Sequence, residues 1–389
     1  MVNETEMTDK PQLLISGPCD ARFDAVREEF VENFQTRSER GGAVAVWHDG
    51  RVVVDLWGGW SDLDRRTPWS QDTIVNVFSV SKALCAIAVM RLVDHGLLAL
   101  DSRVSKYWPE FAEGGKGDVT VRQLMSHQAG LPAIRKPLPD GAAMDWQVIT
   151  GALAEQKPWW EPGTAHGYHV NTFGFLAGEL VRRVSRRTIG TLLRDDVAKP
   201  LGADVHIGLP RVEHPRVSDF RWPGNPAKPK IDSEDALMRW NTYWNPPGFS
   251  GSHWVNTARW REAEVPSTNG HGNARSIARV YAALANGGEI DGVRILSNES
   301  LTEATTEQVN GPDLINQRPS RFGIGFQLTQ PERPLGPHRG TFGHFGAGGS
   351  LGFCDPEARI AFGYVTNDMG PRWQNPRNRA LLDAVYASL

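Results

Sequence analysis

The chain reads FSVSK at residues 78–82, directly before an apolar run that extends from Ala83 to Met90. This run predicts a helix that continues to about residue 95. Ser79 and Lys82 are three residues apart and share one helix face, so the Lys82 amine can reach the Ser79 hydroxyl, whereas Ser81 faces elsewhere. A lysine partly removed from water loses its proton more readily and can act as a base. The stretch predicts a nucleophile with its own base, although an N-cap serine followed by a surface lysine has the same spacing.

The composition is that of an ordinary globular protein. Of 389 residues, 40% are hydrophobic and 22% are charged, and the net charge is −3. The sequence has no long run of Lys and Arg, so no nucleic-acid partner is predicted. The cysteines, Cys19, Cys85 and Cys354, are odd in number and widely spaced, which predicts neither a disulfide framework nor a zinc site.

The N-terminal sequence bears on localisation. It begins MVNETE, which is acidic where a signal peptide carries positive charge, and no apolar core segment follows. The apolar run after Lys82 is far shorter than the roughly 18 residues that a membrane span needs. We therefore expect a cytoplasmic protein without a membrane span.

Strand patterns occur near both ends of the chain, with helical patterns between them. Residues 41–59 form two β-rich runs around Asp49-Gly50, which predicts a hairpin with a type I′ turn. Further strands are predicted at 322–328, 341–345, 350–354 and 360–366. Helices are predicted at 23–34, 79–95, 120–127, 145–156, 172–185, 274–286, 301–309 and 378–388.

This arrangement predicts a mixed α/β (α+β) fold class with two domains. Residues 1–75 and 270–389 are expected to form a discontinuous domain, a mostly antiparallel sheet flanked by helices. Residues 76–269 are expected to form a mainly helical domain. Within it, periodicity fades from about 202 to 267 while Pro, Trp, Asn and Arg become frequent, which predicts loops that face a substrate.

Three further motifs accompany VFSVSK at residues 77–82. They read LMSHQAGLP at 124–132, GYHV at 167–170 and FGHFGAGGS at 342–350. In content, order and spacing, the four motifs resemble those of the serine β-lactamase and penicillin-binding-protein superfamily, particularly class C β-lactamases and family VIII carboxylesterases. The resemblance runs from about Phe23 to the C-terminus. It implies a β-lactamase/transpeptidase-like fold in which Ser79 is acylated, Lys82 assists and Tyr168 is the other proton carrier.

The chain departs from the penicillin-recognising members at two motifs. Tyr168 is followed by His169-Val170, with Asn171 one place later than the Asn of the usual Y-x-N. His344-Phe345-Gly346 stands where K-T-G is usual. An unperturbed imidazole is only about a quarter protonated at pH 7. The fixed cation that would grip a β-lactam carboxylate is therefore largely absent.

The resemblance also implies the oxyanion hole and the substrate contacts. The hole would consist of the backbone N–H groups of Ser79 and Ala347. His344 and Gly346 would border the substrate, and tryptophans of the 202–267 region, Trp240, Trp244 and Trp254, are candidates for the pocket wall.

Ser350 is a rival nucleophile, because residues 348–352 match G-x-S-x-G. That motif requires a strand, a sharp turn and a helix. A hairpin-like pattern follows Ser350 instead, and we therefore prefer Ser79.

The implied activity is hydrolysis of neutral, short-chain carboxylic esters through an acyl-enzyme on Ser79. The partner would be a small-molecule ester, and the chemistry needs no cofactor and no metal. Three alternatives stay open: β-lactam or amide hydrolysis, acyl transfer to an acceptor other than water, and a non-catalytic penicillin-binding-like sensor. The sequence leaves the natural ester and the oligomeric state open.

Overall fold

A nine-stranded antiparallel sheet contains strands from both ends of the chain. The computed structural model describes residues 14–371 and 373–389. The strands of this sheet are β1 (Ile15–Ser16), β2 (Gly41–His48), β3 (Arg51–Gly59), β9 (Val309–Pro312), β10 (Pro319–Phe322), β11 (Gln327–Leu328), β12 (Phe342–Phe345), β13 (Leu351–Asp355) and β14 (Ile360–Thr366). Their order across the sheet is β1-β3-β2-β14-β13-β12-β11-β10-β9. Every neighbouring pair is antiparallel.

Helices enclose this sheet and fill the middle of the chain. They are α1 (Asp24–Thr36), α2 (Ser81–Asp94), α3 (Val121–Met125), α4 (Trp146–Glu155), α5 (Thr172–Ser185), α6 (Ile189–Leu193), α7 (Lys199–Leu201), α8 (Glu234–Trp244), α9 (Ala258–Glu262), α10 (Ala274–Ala285), α11 (Asn298–Thr305) and α12 (Pro376–Ala387). The remaining strands are β4 (Val75–Asn76), β5 (Val205–His206), β6 (His271–Gly272), β7 (Glu289–Ile290) and β8 (Val293–Arg294). None of the helices in the described part of the chain is long and apolar enough to cross a membrane.

The hairpin β2–β3 has the predicted turn. Asp49 and Gly50 have φ angles of 51° and 75°, and a type I′ turn requires positive φ at both positions. Side chains of β2 alternate between two cores. Ala43 and Ala45 belong to the core that contains α10, whereas Val44 belongs to the core with α1 and α12. This strand is therefore buried on both faces.

Helix α2 lies in the centre of the molecule. All residues from Ser81 to Met90 are buried, because α2 packs against α5, α6 and α11. The helix begins at Ser81, two residues later than predicted, and a 3₁₀ turn at Phe78–Val80 precedes it. It ends at Asp94, and Gly96 has the positive φ of 68° expected after a helix C-terminus.

Three secondary-structure predictions differ from the structure. The helix predicted at 301–309 ends at Thr305, and Val309 begins β9. The strand predicted at 322–328 is divided between β10 and β11, because the chain turns at Gly325, which has a φ of 75°. A Cβ atom at Gly325 would lie 2.7 Å from that of Ala86 in α2, so close packing fixes this turn. The region 202–267 is also more regular than predicted, since it contains α8. The Ser233 hydroxyl caps this helix by accepting the N–H of Ala236 at 3.1 Å.

A second, small sheet brings the start of the Ser79 turn to distant segments. Its order is β4-β6-β5, so residues just before the turn pair with His271–Gly272. The turn that contains Ser79 is thus held in place where strands from the earlier and later parts of the chain meet. The domain boundaries at 75 and 270 remain a prediction.

Candidate active site

Ser79 lies in the 3₁₀ turn that joins β4 to α2. The preceding residue, Phe78, has a φ of 49°, which is rare for a bulky side chain and costs of order 1–3 kcal/mol. Two contacts hold this conformation. The Phe78 ring packs on Phe220 with centroids 4.7 Å apart, and its carbonyl accepts the Ser81 hydroxyl. Ser81 in turn accepts the N–H of Gly270 at 3.0 Å, so it braces the turn that presents Ser79.

Lys82 is fully buried beside Ser79. Its Nζ atom lies 3.0 Å from Ser79 Oγ and donates to the Ser267 carbonyl at 3.1 Å. Burial lowers the pKa of Lys82 to about 7, against a smaller opposing influence of Cys85. At neutral pH a large fraction of Lys82 is therefore the free amine, which accepts a proton.

Tyr168 lies on the other side of this pair. Its side chain is buried, it lines the same cavity as Ser79, and Lys82 Nζ lies 4.9 Å from its ring centroid. Burial raises the pKa of Tyr168 above its usual range, although the nearby Ser79 hydroxyl opposes the shift. Tyr168 is consequently a neutral phenol that can donate a proton. The structure brings Ser79, Lys82 and Tyr168 together as predicted from the motifs.

Asp313, which the sequence analysis did not identify, fixes the backbone of Tyr168. Its buried carboxylate accepts the N–H groups of Tyr168 at 3.1 Å and Ile315 at 2.9 Å. It also accepts the Ser320 hydroxyl at 2.8 Å, and Ser320 Oγ lies 2.9 Å from His166 Nε2. An Asp directly after a strand predicts a turn, but no local pattern indicates a contact 145 residues away.

His344 is buried behind Tyr168 rather than in the cavity wall. Its ring centroid lies 5.9 Å from that of Tyr168. Nδ1 is 2.7 Å from the Phe345 carbonyl, and among the described residues Nε2 has no hydrogen-bond partner. Burial, reinforced by Lys82, lowers the pKa of His344 well below its usual value. His344 is therefore less protonated at pH 7 than an unperturbed imidazole would be, and this position supplies no fixed cation.

Gly346 and Ala347 follow directly on this strand. A Cβ atom at Gly346 would lie 2.4 Å from the Val77 carbonyl oxygen, so only glycine allows β12 to approach the Ser79 turn this closely. Ala347 and Ser79 lie in the wall of the same cavity. Their pairing as an oxyanion hole remains a prediction that this placement supports.

A cavity of about 220 Å³ opens above Ser79. No charged side chain is among the described residues that line it, and most of its surface is apolar. Its wall consists of Phe78, Ser79, Tyr168, Val170, Asn171, Trp222, Pro223, Gly224, Pro226, Tyr243, Trp244, Ser250, Thr268, Ala347, Met369 and Trp373. The aromatic wall residues 222, 243 and 373 were missed, because their segments have no periodicity that would orient them.

The predicted tryptophans differ in position. Trp244 lines the cavity, and Trp240 stacks on it at 5.6 Å without reaching the wall. Trp254 lies outside the cavity, because its indole N–H donates to the Asp140 carboxylate at 2.9 Å. Trp254 is therefore withdrawn as a substrate contact.

Asn171 is a wall residue whose amide is already occupied. Its Nδ2 donates to the Thr242 carbonyl and to Ser250 Oγ, both at 2.9 Å. Its Oδ1 accepts the Thr268 hydroxyl at 2.8 Å. These bonds shape the cavity, and they would have to be exchanged before Asn171 could bind a substrate amide.

Ser350 does not have the setting of a nucleophile elbow. It is fully buried, and the residues after it form strand β13 rather than a helix. Its hydroxyl has no hydrogen-bond partner among the described residues.

A metal site is also absent from the described part of the chain. Within residues 14–371 and 373–389, no group of three or more His, Cys, Asp or Glu side chains could hold a metal ion.

The fold and the site agree with one known family. The sequence model of the family described as Beta-lactamase matches residues 26–387. The chain belongs to the beta-lactamase family. It is 37% identical to Esterase/beta-lactamase LipL of Mycobacterium tuberculosis over 91% of this chain and 83% of that protein.

Two solved structures extend the likeness to the whole fold. A family VIII carboxylesterase superimposes with a TM-score of 0.90 at 41% identity, over 97% of this chain and all of the other. A penicillin-binding protein homologue from Caulobacter crescentus gives a TM-score of 0.89, also at 41% identity and over the same shares of both chains. The predicted family and fold class are confirmed.

Proposed function

We propose that this protein is a serine carboxylesterase that hydrolyses neutral, short-chain carboxylic esters through an acyl-enzyme on Ser79. One observation carries the proposal. A buried lysine with a pKa near 7 contacts the Ser79 hydroxyl below an apolar cavity, and none of the described residues in the cavity wall is charged. The names of its relatives, esterase and family VIII carboxylesterase, support the same reaction class.

Acylation uses the two proton carriers in different roles. Ser79 Oγ attacks the ester carbonyl carbon while its proton passes to the free amine of Lys82. The C–O bond to the alcohol then breaks, and the departing oxygen takes the phenolic proton of Tyr168. The Lys82 ammonium restores the proton to Tyr168. These transfers leave a neutral site with the acyl group on Ser79.

Deacylation repeats the chemistry with water as the nucleophile. Lys82 accepts a proton from water, directly or through Tyr168, while the water oxygen attacks the acyl carbon. The bond from that carbon to Ser79 Oγ then breaks, and the Lys82 ammonium gives its proton to the departing Ser79 oxygen. In both steps the backbone N–H groups of Ser79 and Ala347 would stabilise the oxyanion, each contributing about 3–4 kcal/mol. His344 would act as neutral packing behind Tyr168.

β-Lactam hydrolysis is the second candidate, because the name of the Mycobacterium tuberculosis relative includes both activities. The wall of the cavity argues for esters. The described residues of the wall include no charged side chain, and His344 is not protonated, so neither is available to bind the carboxylate of a β-lactam. We expect kcat/KM for a short nitrophenyl ester to exceed that for a chromogenic cephalosporin by more than about a hundredfold, since an unpaired buried charge costs several kcal/mol.

A serine-reactive phosphonate tests the nucleophile and the enzyme activity together. Ser79→Ala should remove both the label and esterase turnover, whereas the matched variant Ser350→Ala should retain both. A mass increase on the peptide containing Ser350 would overturn the site. Labelling of Ser79 without any turnover of esters or cephalosporins would indicate a sensor instead, and preferential formation of a new ester in the presence of an alcohol would indicate an acyltransferase.

A further inference from the structure

Arg333 is a buried cation that the proposed mechanism does not use. It lies in the loop between β11 and β12 and is 8% exposed. Its Nη2 donates to the Pro319 carbonyl at 2.9 Å, while Nε is buried and has no hydrogen-bond partner among the described residues. Within residues 14–371 and 373–389 it has no ion pair. Because such burial is costly, a role for this charge is expected.

Arg333 is connected to Tyr168 through the ring of Trp373. Its guanidinium carbon lies 5.4 Å from the ring centroid of Trp373, a cation–π distance. The Trp373 ring lies 5.6 Å from that of Tyr168 and lines the substrate cavity. Arg333 itself is not among the residues of the cavity wall. It therefore lies behind the site, where it cannot touch a substrate but its charge is poorly screened.

Resting on the proposed function, we infer that Arg333 is a positioning residue that holds a fixed positive charge behind Tyr168 and makes its phenol a stronger acid toward the leaving alcohol. It thereby supplies the site with the fixed cation that the His344 motif lacks.

The surroundings of Tyr168 make this charge significant. The positive charge of Arg333 lowers the pKa of Tyr168, whereas the negative charge of Asp313 raises it. The titratable groups around the phenol are Lys82, His127, Asp313, Tyr243, Arg333 and His344. Burial keeps the two histidines neutral. Lys82 is cationic only after it has accepted a proton, so Arg333 is the permanent positive charge among these described groups.

The charge of Arg333 acts on one step of acylation. As the carbonyl carbon loses its bond to the alcohol oxygen, that oxygen takes the Tyr168 proton and a phenolate forms briefly. The phenolate is reprotonated by the Lys82 ammonium. A nearby cation stabilises the phenolate, and the benefit is greatest when the departing alkoxide is a strong base. Nitrophenolate leaves without this assistance.

A series of acetate esters with increasingly basic leaving alcohols tests the inference. Arg333→Met and Arg333→Gln should lower kcat/KM about fivefold or more for alkyl acetates and less than about twofold for nitrophenyl acetate. Arg333→Lys should restore most of the alkyl-ester activity. Titration of active sites with a phosphonate corrects each rate for misfolded enzyme, and two different replacements guard against the failure of one.

Arg318→Met is the matched control. Arg318 lies 4.8 Å from the same Trp373 ring but is half-buried, and its charge lowers the pKa of Tyr243 rather than Tyr168. Its loss should not change the dependence on the leaving group. An equal loss for all esters in the Arg333 variants would overturn the inference and leave the esterase proposal intact. A wild-type protein without ester turnover would overturn the esterase proposal itself.

Discussion

The burial of Lys82 decides which residue removes the Ser79 proton. In water a lysine titrates near pH 10.4 and a tyrosine near pH 10. Here burial moves them apart, lowering the pKa of Lys82 to about 7 and raising that of Tyr168. A base must be unprotonated and an acid protonated at the working pH. In the proposed acylation step, Lys82 is therefore the base and Tyr168 the proton donor.

The pH dependence of activity follows from this pKa. Because the protonated amine cannot accept the Ser79 proton, kcat/KM for a neutral ester should rise about tenfold per pH unit below pH 7 and level off above it. A pH–rate profile from pH 5 to 9 measures the midpoint, which we expect near 7. Lys82→Arg stays protonated throughout this range and should be inactive at every pH. A profile that is flat over the range would exclude Lys82 as the base.

At the same scale, the sequence predicted the contact between Ser79 and Lys82 and a lysine partly removed from water, but not how completely this lysine is buried. The spacing of Ser79 and Lys82 predicts that they meet, and the observed distance is 3.0 Å. The degree of burial was not predictable, because the carbonyl that holds the amine belongs to Ser267, 185 residues away. The same limitation applies to His344, whose neutrality depends on neighbours that only the fold assembles.

Among the elements, the loop between β9 and β10 contacts the backbone of Tyr168. Its Asp313 carboxylate accepts N–H groups from its own turn and from Tyr168. A strand-to-strand connection thus fixes a residue just before α5. We therefore expect the loop to contribute to activity as well as to folding.

Replacing Asp313 by Asn tests that role. The amide is nearly isosteric, but it is a weaker acceptor and places an N–H₂ group among donors, so Tyr168 should shift. We expect kcat/KM to fall roughly tenfold or more, since small displacements of a reacting group have effects of this size. Asn316→Ala is the control, because it removes a donor to Asp313 without altering the bond to Tyr168. Unchanged kinetics in the Asp313 variant would refute a positioning role.

The elements that the sequence predicted are those with local signals. Asp49-Gly50 specifies its own turn, and the apolar run after Lys82 specifies a buried helix. The division between β10 and β11 depends instead on the contact of Gly325 with Ala86, which no local pattern contains. The helix α8 was missed because its buried residues are few, namely Met238, Asn241 and Thr242.

On the scale of the whole molecule, the two ends of the chain support the site jointly. Strands β2 and β14 pair in the centre of the sheet, as predicted from the strand patterns at both ends. Beside this pair, the Glu39 carboxylate binds Arg377 of α12 at 3.2 Å and also accepts the hydroxyls of Tyr364 and Thr366. The Nη2 atom of Arg377 also donates a hydrogen bond to the Gly348 carbonyl at 3.1 Å. The chain ends are thereby linked to the turn that follows Ala347.

Glu39→Gln should therefore reduce the free energy of unfolding. Through Arg377, it should also loosen the turn that follows Ala347. The change leaves the buried Arg377 without its counter-charge, which costs about 3 kcal/mol or more, measurable as a lower urea midpoint. Glu29→Gln in α1 is the control, because its partner Arg37 is partly exposed and the loss should stay below about 1 kcal/mol. Since Arg377 also holds the Gly348 carbonyl, the Glu39 variant should lose esterase activity at a lower urea concentration than it loses helical circular dichroism. Coincident losses would show that the ion pair supports the fold without specifically supporting the turn beside Ser79.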